Sequence, residues 1–180
     1  MRNKEKAMGK LVDYILDFLL GFPEKQEKLV GYTADKTHFA DYKVVIVPSD
    51  FFSEKVFGTA TSLPTLPLPE LEGVPVLFGQ PKVEKIGETL VCYADLVASS
   101  FFLLSRYEEL LVAERDEHGR FSGKFSLPYR AGFLSRPIVD EYGQLLRSWL
   151  RDLGCEVLEP TPDYSRIVLT HDVDFLYNFR

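Results

Sequence analysis

The sequence has few cysteines and histidines and no surplus of basic residues. Its two cysteines, Cys92 and Cys155, lie far apart and form no Cys-x-x-Cys pair, which argues against a disulfide framework and against a zinc site built from cysteines. The net charge is −6 and no basic stripe balances the acidic residues, so the chain lacks the electrostatic footprint of a nucleic-acid-binding protein. This composition favours a reduced, cytoplasmic protein.

No apolar run is long enough to span a membrane, which takes about 20 residues. Basic residues near the N-terminus precede an apolar stretch, as in a secretory signal, but Asp13 and Asp17 interrupt that stretch. No small-x-small cleavage site follows Leu20. The stretch is therefore predicted to be a helix of the folded protein and not a signal peptide.

Three well-known catalytic or nucleotide-binding loops are also missing from the sequence. There is no Gly-x-Ser-x-Gly elbow, no Gly-x-Gly-x-x-Gly loop and no Walker loop, which argues against a serine hydrolase, a dinucleotide-binding enzyme and a P-loop enzyme. What remains is an ordinary globular composition of 180 residues, 46% hydrophobic and 27% charged. This is enough for one good core, or for one core and a fragment of a second domain.

Three helices are predicted from apolar residues at helical spacing. The second is the strongest, because its broad apolar face fits a helix laid across a sheet. Its N-cap is predicted to be Asp95. The first helix is predicted to end at Gly21 and Pro23. The second, whose apolar face runs to Leu111, is predicted to end at Asp116–Gly119. The third is predicted to start at Pro137 and stop at Gly154.

Short apolar, β-branched runs predict the strands, and a turn is predicted at residues 85–88. The fold class expected from these elements is α/β or α+β, with a mixed sheet and three sizeable helices. The predicted strands cover residues 28–33, 43–47, 74–78 and 89–93.

Six of the eleven prolines lie between Pro48 and Pro81, and they include the run Leu63–Pro69, in which leucines and prolines mostly alternate. Such a run forms neither a helix nor a central strand. We predict an extended crossing that packs on the domain through its leucines. The alternative is a ligand for a proline-recognising domain.

A domain boundary is predicted at residues 159–163, because Pro160 and Pro162 forbid a helix and stiffen the chain. Residues 1–158 would then form an N-terminal α/β accessory domain and residues 159–165 a linker. Residues 166–180 would be the start of a second, truncated domain.

The strongest chemical motif follows this boundary. An apolar run ends at Leu169 and is followed by Thr170, His171, Asp172 and, after one residue, Asp174. Two carboxylates and an imidazole at the end of a strand suit a divalent-metal site, in which one carboxylate holds the metal and the other takes a proton from a water that the metal acidifies. The alternative is that the two acids cap a turn and His171 is incidental.

The segment Leu169–Asp174 resembles the first motif of the polysaccharide deacetylase family, metal-dependent carbohydrate esterases on a distorted (β/α) barrel. The resemblance implies that Asp172 is the general base. Because Val173 stands at the family's metal-binding position, Asp174 would bind the metal, zinc or cobalt, with His171. The substrate implied is an N-acyl amino sugar, cleaved at a C–N bond other than a peptide bond. The chain as given would hold only the first barrel strand and be inactive alone.

The N-terminal part is similar to the uncharacterised domain that precedes such deacetylase domains in bacterial proteins. The resemblance lies in the segments Val47–Phe52 and Ser105–Glu109. The carbohydrate would then bind through the barrel domain. The strand at 166–170, without its barrel, would add to a sheet edge, pair with a second molecule or be poorly ordered.

Several other polar residues can be interpreted either as functional or as ordinary surface or core residues. His38 and His118 are predicted to be solvated turn residues rather than metal ligands. Charged residues near the end of the second helix could line a groove or be solvated, and two arginines with neighbouring aromatics could form a sugar-stacking surface or pack in the core. These residues are Arg106, Glu108 and Glu109 in the first case, and Arg130, Arg136 and the aromatics between Phe121 and Phe133 in the second.

Two hypotheses of function remain. In the first, the chain is the accessory domain of a deacetylase-like metal-dependent hydrolase. In the second, it is a non-catalytic binding or assembly module, and its C-terminal acids only solvate a turn.

Overall fold

The computed structural model describes residues 2–21, 29–157 and 168–170, with the backbone alone for residues 2–5. This part of the chain forms a mixed α/β fold, so the predicted fold class is confirmed. The helices are α1 (Arg2–Leu20), α2 (Leu96–Leu104), α3 (Leu127–Arg130) and α4 (Ile138–Asp152). The strands are β1 (Val30–Tyr32), β2 (Val44–Ile46), β3 (Glu70–Leu71), β4 (Val74–Pro75), β5 (Gly79–Ile86) and β6 (Thr89–Ala94). Short 3-10 helices cover Lys36–Asp41, Asp50–Phe52, Ala60–Ser62, Tyr107–Leu110 and Gly123–Phe125.

The main sheet has four strands in the order β1-β2-β6-β5. Strands β1, β2 and β6 run parallel, and β5 pairs with β6 as an antiparallel hairpin. Strands β3 and β4 form a separate two-stranded antiparallel ribbon. Because three parallel strands end at the same edge, the residues that follow them are brought together there.

Different residues pack on the two faces of the main sheet. Alternate residues of a strand point to opposite faces, so Val44 and Ile46 join the large core beneath the helices. Val45 and Val91 point to the other face and pack with Phe39 from the 3-10 helix at Lys36–Asp41. Strand β2 is fully buried because it lies between two strands and has residues packed on both of its faces.

Helices α1, α2 and α4 pack on one another over the sheet. At the α1–α4 crossing, Gly143 allows a close approach: a Cβ at this position would lie 2.8 Å from the carbonyl oxygen of Leu19. Arg147 donates from Nη1 to that same oxygen at 2.5 Å. A cation at the C-terminal end of α1 complements the helix dipole.

The first and third predicted helices are confirmed. Helix α1 ends at Leu20 and is followed by Gly21 with a φ of +80°. Helix α4 begins after Pro137, and Gly154 beyond its end has a φ of +78°. Pro23 lies outside the described residues.

The second predicted helix is confirmed at its start and wrong at its end. Asp95 is the N-cap, but α2 stops at Leu104, and Arg106 adopts a left-handed conformation with a φ of +53°. This break turns Tyr107 into the core, where its hydroxyl accepts from Gly58 N at 2.5 Å and lies 3.0 Å from Ser62 Oγ. The apolar face continues past the break, so hydrophobic periodicity alone did not reveal it.

The first two strands lie within their predicted ranges, and β6 covers its predicted range and extends one residue further, to Ala94. The strand predicted at 74–78 is wrong in extent, because only Val74–Pro75 is a strand and it pairs with β3. The hairpin partner of β6 is β5, which no prediction covered. Most side chains of β5 are exposed at the sheet edge, so the sequence there has little apolar alternation. The turn predicted at 85–88 is confirmed for Gly87 and Glu88, with Gly87 at a φ of +61°, but Lys85 and Ile86 belong to β5.

The predicted extended crossing at Leu63–Pro69 is confirmed. It has no regular secondary structure, and Leu63, Leu66 and Leu68 are half-buried against the core. The predicted linker at 159–165 lies outside the described residues, as does most of the predicted barrel strand. Of that strand only Val168–Thr170 is described; these three residues are exposed and have no regular secondary structure.

Candidate functional site

The predicted catalytic and metal-binding residues, His171, Asp172 and Asp174, lie outside the described residues. Their roles therefore stay predictions. Within the described part of the chain, no three His, Cys, Asp or Glu side chains lie close enough together to hold a metal ion. The same part holds no helix that is long and apolar enough to cross a membrane.

His38 and His118 are both exposed, as predicted, but only His118 lies in a turn, because His38 belongs to the 3-10 helix at Lys36–Asp41. His38 Nδ1 lies 2.9 Å from Asp41 Oδ2, and this contact raises the pKa of the imidazole. His118 follows Asp116, whose carboxylate accepts from the His118 backbone N–H at 2.9 Å. Among the described residues, neither imidazole belongs to a group of three side chains that could hold a metal ion.

One cluster of polar side chains forms where the three parallel strands end, and we call Tyr32, Ser49 and Asp95 the strand-end cluster. Tyr32 closes β1, Ser49 follows β2, and Asp95 follows β6. Asp95 Oδ2 accepts from the hydroxyl of Tyr32 at 3.0 Å and from both the N–H and the hydroxyl of Ser49, each at 2.7 Å. A carboxylate at this edge of a parallel sheet is where α/β enzymes commonly place their chemistry.

The second oxygen of Asp95 caps helix α2. Oδ1 accepts from the backbone N–H of Ala98 at 2.9 Å, which satisfies one of the unpaired donors at the start of the helix. Burial raises the pKa of Asp95, although its hydrogen bonds to Ala98, Ser49 and Tyr32 act in the opposite direction. Burial and the neighbouring carboxylate also raise the pKa of the Tyr32 phenol.

The strand-end cluster is thus closed by its own hydrogen bonds. Asp95 is 0% exposed, and both of its oxygens already accept from protein donors. A carboxylate held in this way stabilises the junction of three strands and a helix. Its chemistry is that of a cap rather than of a base.

Cys92 is the other reactive side chain in this part of the sheet. Burial raises the pKa of its thiol to about 12, so it is neutral near pH 7. Its Sγ donates to the carbonyl oxygen of Ala94 at 3.4 Å. Cys92 is therefore a core residue, while Cys155 is half-buried and also free.

Glu108 is a second buried carboxylate, and the two interpretations of it from sequence, a groove-lining or a solvated residue, are both wrong. Its two oxygens accept from the backbone N–H of Leu127 at 3.0 and 2.8 Å, at the start of α3. Arg130 Nη2 lies 3.9 Å away. Burial raises the pKa of Glu108, and the Leu127 N–H and Arg130 oppose this. The partners lie about twenty residues along the chain, so no local signal could have revealed the contact.

Arg106 and Glu109 agree with the interpretation that they are solvated surface residues. They form an ion pair with each other, and Arg106 is largely exposed. The aromatic residues nearby divide between the two interpretations: Phe133 is 4% exposed and belongs to the core, while the ring of Tyr129 is 53% exposed.

A cleft of about 500 Å³ lies between the Leu66–Leu68 segment and the loop that follows α3. We call it the arginine cleft. A second, more apolar hollow of about 290 Å³ shares Phe133 and Arg136 with it. The side chains of the arginine cleft that could contact a ligand are Leu66, Leu68, Glu70, Arg130, Phe133 and Arg136.

Both guanidinium groups of the arginine cleft are anchored. Arg136 donates from Nε to Glu141 Oε1 at 3.1 Å and from Nη2 to the carbonyl oxygen of Gly73 at 2.9 Å. Arg130 donates from Nε to the carbonyl oxygen of Phe125 at 3.0 Å. Sequence reasoning named both arginines but did not find Glu70 or the leucines, which reach the cleft from about sixty residues earlier in the chain.

The sequence profile of the family described as "Family of unknown function (DUF7033)" matches residues 6–154. No curated protein and no solved structure matched the chain. Since the match covers most of the sequence, the chain belongs to this family of unknown function.

Proposed function

We propose that, in this member of the family of unknown function DUF7033, residues 1–158 are a non-catalytic accessory domain of a metal-dependent carbohydrate deacetylase. The observation that carries the proposal is the position of the boundary. The family match ends at residue 154 and helix α4 ends at Asp152, both before the Pro160–Pro162 segment. The motif Thr170–Asp174 follows that segment and so stands apart from the accessory domain.

The proposed reaction is the removal of an acyl group from an N-acyl amino sugar. Asp172 would take a proton from the attacking water, and Asp174 and His171 would hold a divalent metal. One imidazole and one carboxylate are donors that zinc and cobalt accept. When bound, such a metal would polarise the acyl carbonyl and acidify the water. A complete site takes about three protein ligands, so at least one more would come from a segment beyond this motif.

The buried carboxylates of the accessory domain support this division of roles. Asp95 and Glu108 each accept backbone N–H groups at the start of a helix. Carboxylates bound in this way serve the fold. The acids assigned to chemistry are therefore those of the later motif.

The test is deacetylation of a trimer of β-1,4-linked N-acetylglucosamine by a longer product of the same gene, with zinc or cobalt added. We expect turnover, and we expect Asp172→Asn to reduce kcat by about 10²- to 10⁴-fold, the usual contribution of a general base. Asp174→Asn should weaken metal binding, measured by titration calorimetry. Asp50→Asn, an exposed carboxylate of the accessory domain, is the matched control and should leave kcat unchanged.

The proposal fails if the longer product neither binds metal nor turns over the trimer. It also fails if Asp172→Asn retains full activity. In either case Asp172 and Asp174 would be turn residues.

The second candidate function is a binding module with no hydrolase role, and the arginine cleft favours it. The cleft is concave and combines apolar side chains with a few anchored polar groups, and this combination is common in ligand sites. Ligand binding by this chain, together with an inactive longer product, would select this candidate.

A further inference from the structure

We propose that the arginine cleft binds N-acylated amino sugar residues of a glycan chain. The proposal deepens the function proposed above, because the choice of a sugar over another amide-bearing ligand rests on that function. The accessory domain would then hold the polymer, while the reaction takes place in another domain.

The size and shape of the cleft suit a short run of sugar residues. Its volume of about 500 Å³ lies within the range of roughly 300–1,000 Å³ that is usual for ligand sites. The second hollow is also lined by Phe133 and Arg136. Two hollows that border the same residues suit an extended ligand better than a single compact one.

The cleft offers each kind of contact that an N-acyl group requires. The acyl methyl needs an apolar surface, which Leu66 and Leu68 provide. The acyl carbonyl needs a donor, which the guanidinium groups of Arg130 and Arg136 provide. The amide N–H needs an acceptor, which the exposed carboxylate of Glu70 provides. Sugar hydroxyls can use the same donors and the same acceptor.

The donors are held in place before any ligand arrives. Arg136 is fixed by Glu141 and by the Gly73 carbonyl, and Arg130 by the Phe125 carbonyl and the nearby Glu108. Within the described part of the chain, these contacts leave Nη1 of both arginines free to donate. Anchored side chains lose less conformational entropy on binding, so weak polar contacts suffice.

The charge balance favours a neutral ligand over a polyanion. Arg136 pairs with Glu141, and Arg130 lies 3.9 Å from the carboxylate of Glu108. The hydrogen bond to Glu141 raises the pKa of Arg136, and the further negative charge of Glu70 acts in the same direction. The two cations of the cleft are therefore already neutralised, and a phosphate or a polyuronate would meet no net positive charge.

The experiment titrates the 180-residue chain by calorimetry with three probes. These are the β-1,4-linked N-acetylglucosamine trimer, the corresponding glucosamine trimer, and an N-acetylated trialanine amide. We expect the N-acetylated trimer to bind at least tenfold more tightly than either other probe. The glucosamine trimer lacks the acyl group, and the peptide keeps amides but has no sugar hydroxyls.

Variants locate the binding in the cleft. Glu70→Ala removes the acceptor and should weaken binding of the N-acetylated trimer at least fivefold. Arg130→Ala should do the same by removing a donor. Glu88→Ala is the matched control, because Glu88 is also exposed but lies at the turn between β5 and β6, outside the cleft. Glu70 is the decisive variant, since Arg130 also contacts Glu108 and its loss could disturb α3.

Three results would overturn the inference. They are equal binding of the glucosamine trimer, tighter binding of the peptide, and unchanged binding by Glu70→Ala. Because the titration needs no catalytic domain, its failure is separate from failure of the proposed function. A longer gene product that deacetylates the trimer while this chain does not bind it would leave the enzyme proposal standing and reject the cleft.

Discussion

The strand-end cluster and the arginine cleft both bring polar side chains together from distant parts of the chain, but they differ in how those side chains are used. In the strand-end cluster, Asp95 is fully buried and its oxygens accept from Tyr32, Ser49 and Ala98. In the arginine cleft, Arg130 and Arg136 are anchored on one side and border about 500 Å³ of open space on the other.

This difference shows that a carboxylate with a shifted pKa can be structural and need not belong to a ligand site. Asp95 lies at the edge of a parallel sheet where many enzymes place a catalytic acid, and its pKa is raised by burial. Yet its hydrogen bonds end on the protein itself. The space beside an ionisable group, more than the shift in its pKa, distinguishes a ligand site from a structural one.

The largest expected change in stability tests the strand-end cluster. Asp95→Ala leaves the hydroxyl of Tyr32, two donors of Ser49 and the N–H of Ala98 without their acceptor. Each buried unsatisfied donor costs about 1–3 kcal/mol, and partial relaxation should limit the total to about 4 kcal/mol. The measurement is urea unfolding followed by circular dichroism. Asp50→Ala should change stability by less than about 0.5 kcal/mol, and an equally small change at Asp95 would refute a structural role.

The next effect concerns Glu108, a buried carboxylate like Asp95, which accepts at the start of α3 and lies near Arg130 of the arginine cleft. Glu108→Gln keeps one oxygen for the Leu127 N–H but loses the negative charge that strengthens this bond. We expect a loss of about 1–2 kcal/mol in the free energy of unfolding. Glu109→Gln, which alters an exposed ion pair, should cost less than about 1 kcal/mol. A ranking in the opposite order would show that Glu108 is not a cap.

The pH dependence of stability sharpens the same comparison. Asp95 has a raised pKa in the folded state, so on acidification the folded protein takes up this proton before the unfolded chain does. The contribution of Asp95 to stability should therefore increase as the pH falls from neutrality towards its ordinary pKa of about 4. The measurement is the free energy of unfolding of the wild type minus that of Asp95→Asn, from pH 7 to pH 4. A difference that shrinks over this range would contradict the assignment.

The smallest change in stability is expected in the arginine cleft. Glu70 is exposed at the rim of the arginine cleft, so Glu70→Ala should change the free energy of unfolding by less than about 0.5 kcal/mol while it weakens glycan binding. Urea unfolding and calorimetric titration of the same sample check both statements. A large loss of stability would place Glu70 with Asp95, among the residues that serve the fold.

Features of the fold could be predicted from the sequence wherever residues close together in the chain determine them. The N-cap at Asp95, the glycine stops after α1 and α4, and the apolar run of β2 each depend on neighbours within a few positions. Short-range chemistry decides these features, so they could be predicted from the residues alone.

The rest depends on contacts between distant segments. The break after Leu104 is set by the place of Tyr107 in the core, and the burial of Glu108 by the start of α3. Strand β5 lies at the sheet edge with exposed side chains, so it carries little of the alternation that marks a strand. The arginine cleft joins Glu70 to Arg130 across sixty residues, a distance over which sequence patterns carry no register.

The most direct test of the account compares Asp95 of the strand-end cluster with Asp172 of the proposed catalytic motif, in a longer product of the gene. The measurement is kcat for deacetylation of the N-acetylglucosamine trimer by Asp95→Asn and by Asp172→Asn, each assayed below its melting temperature with zinc present. The account predicts that Asp95→Asn is less stable but keeps its turnover, whereas Asp172→Asn folds normally and loses turnover. Loss of turnover in folded Asp95→Asn, with activity retained in Asp172→Asn, would place the chemistry in the accessory domain and contradict the account.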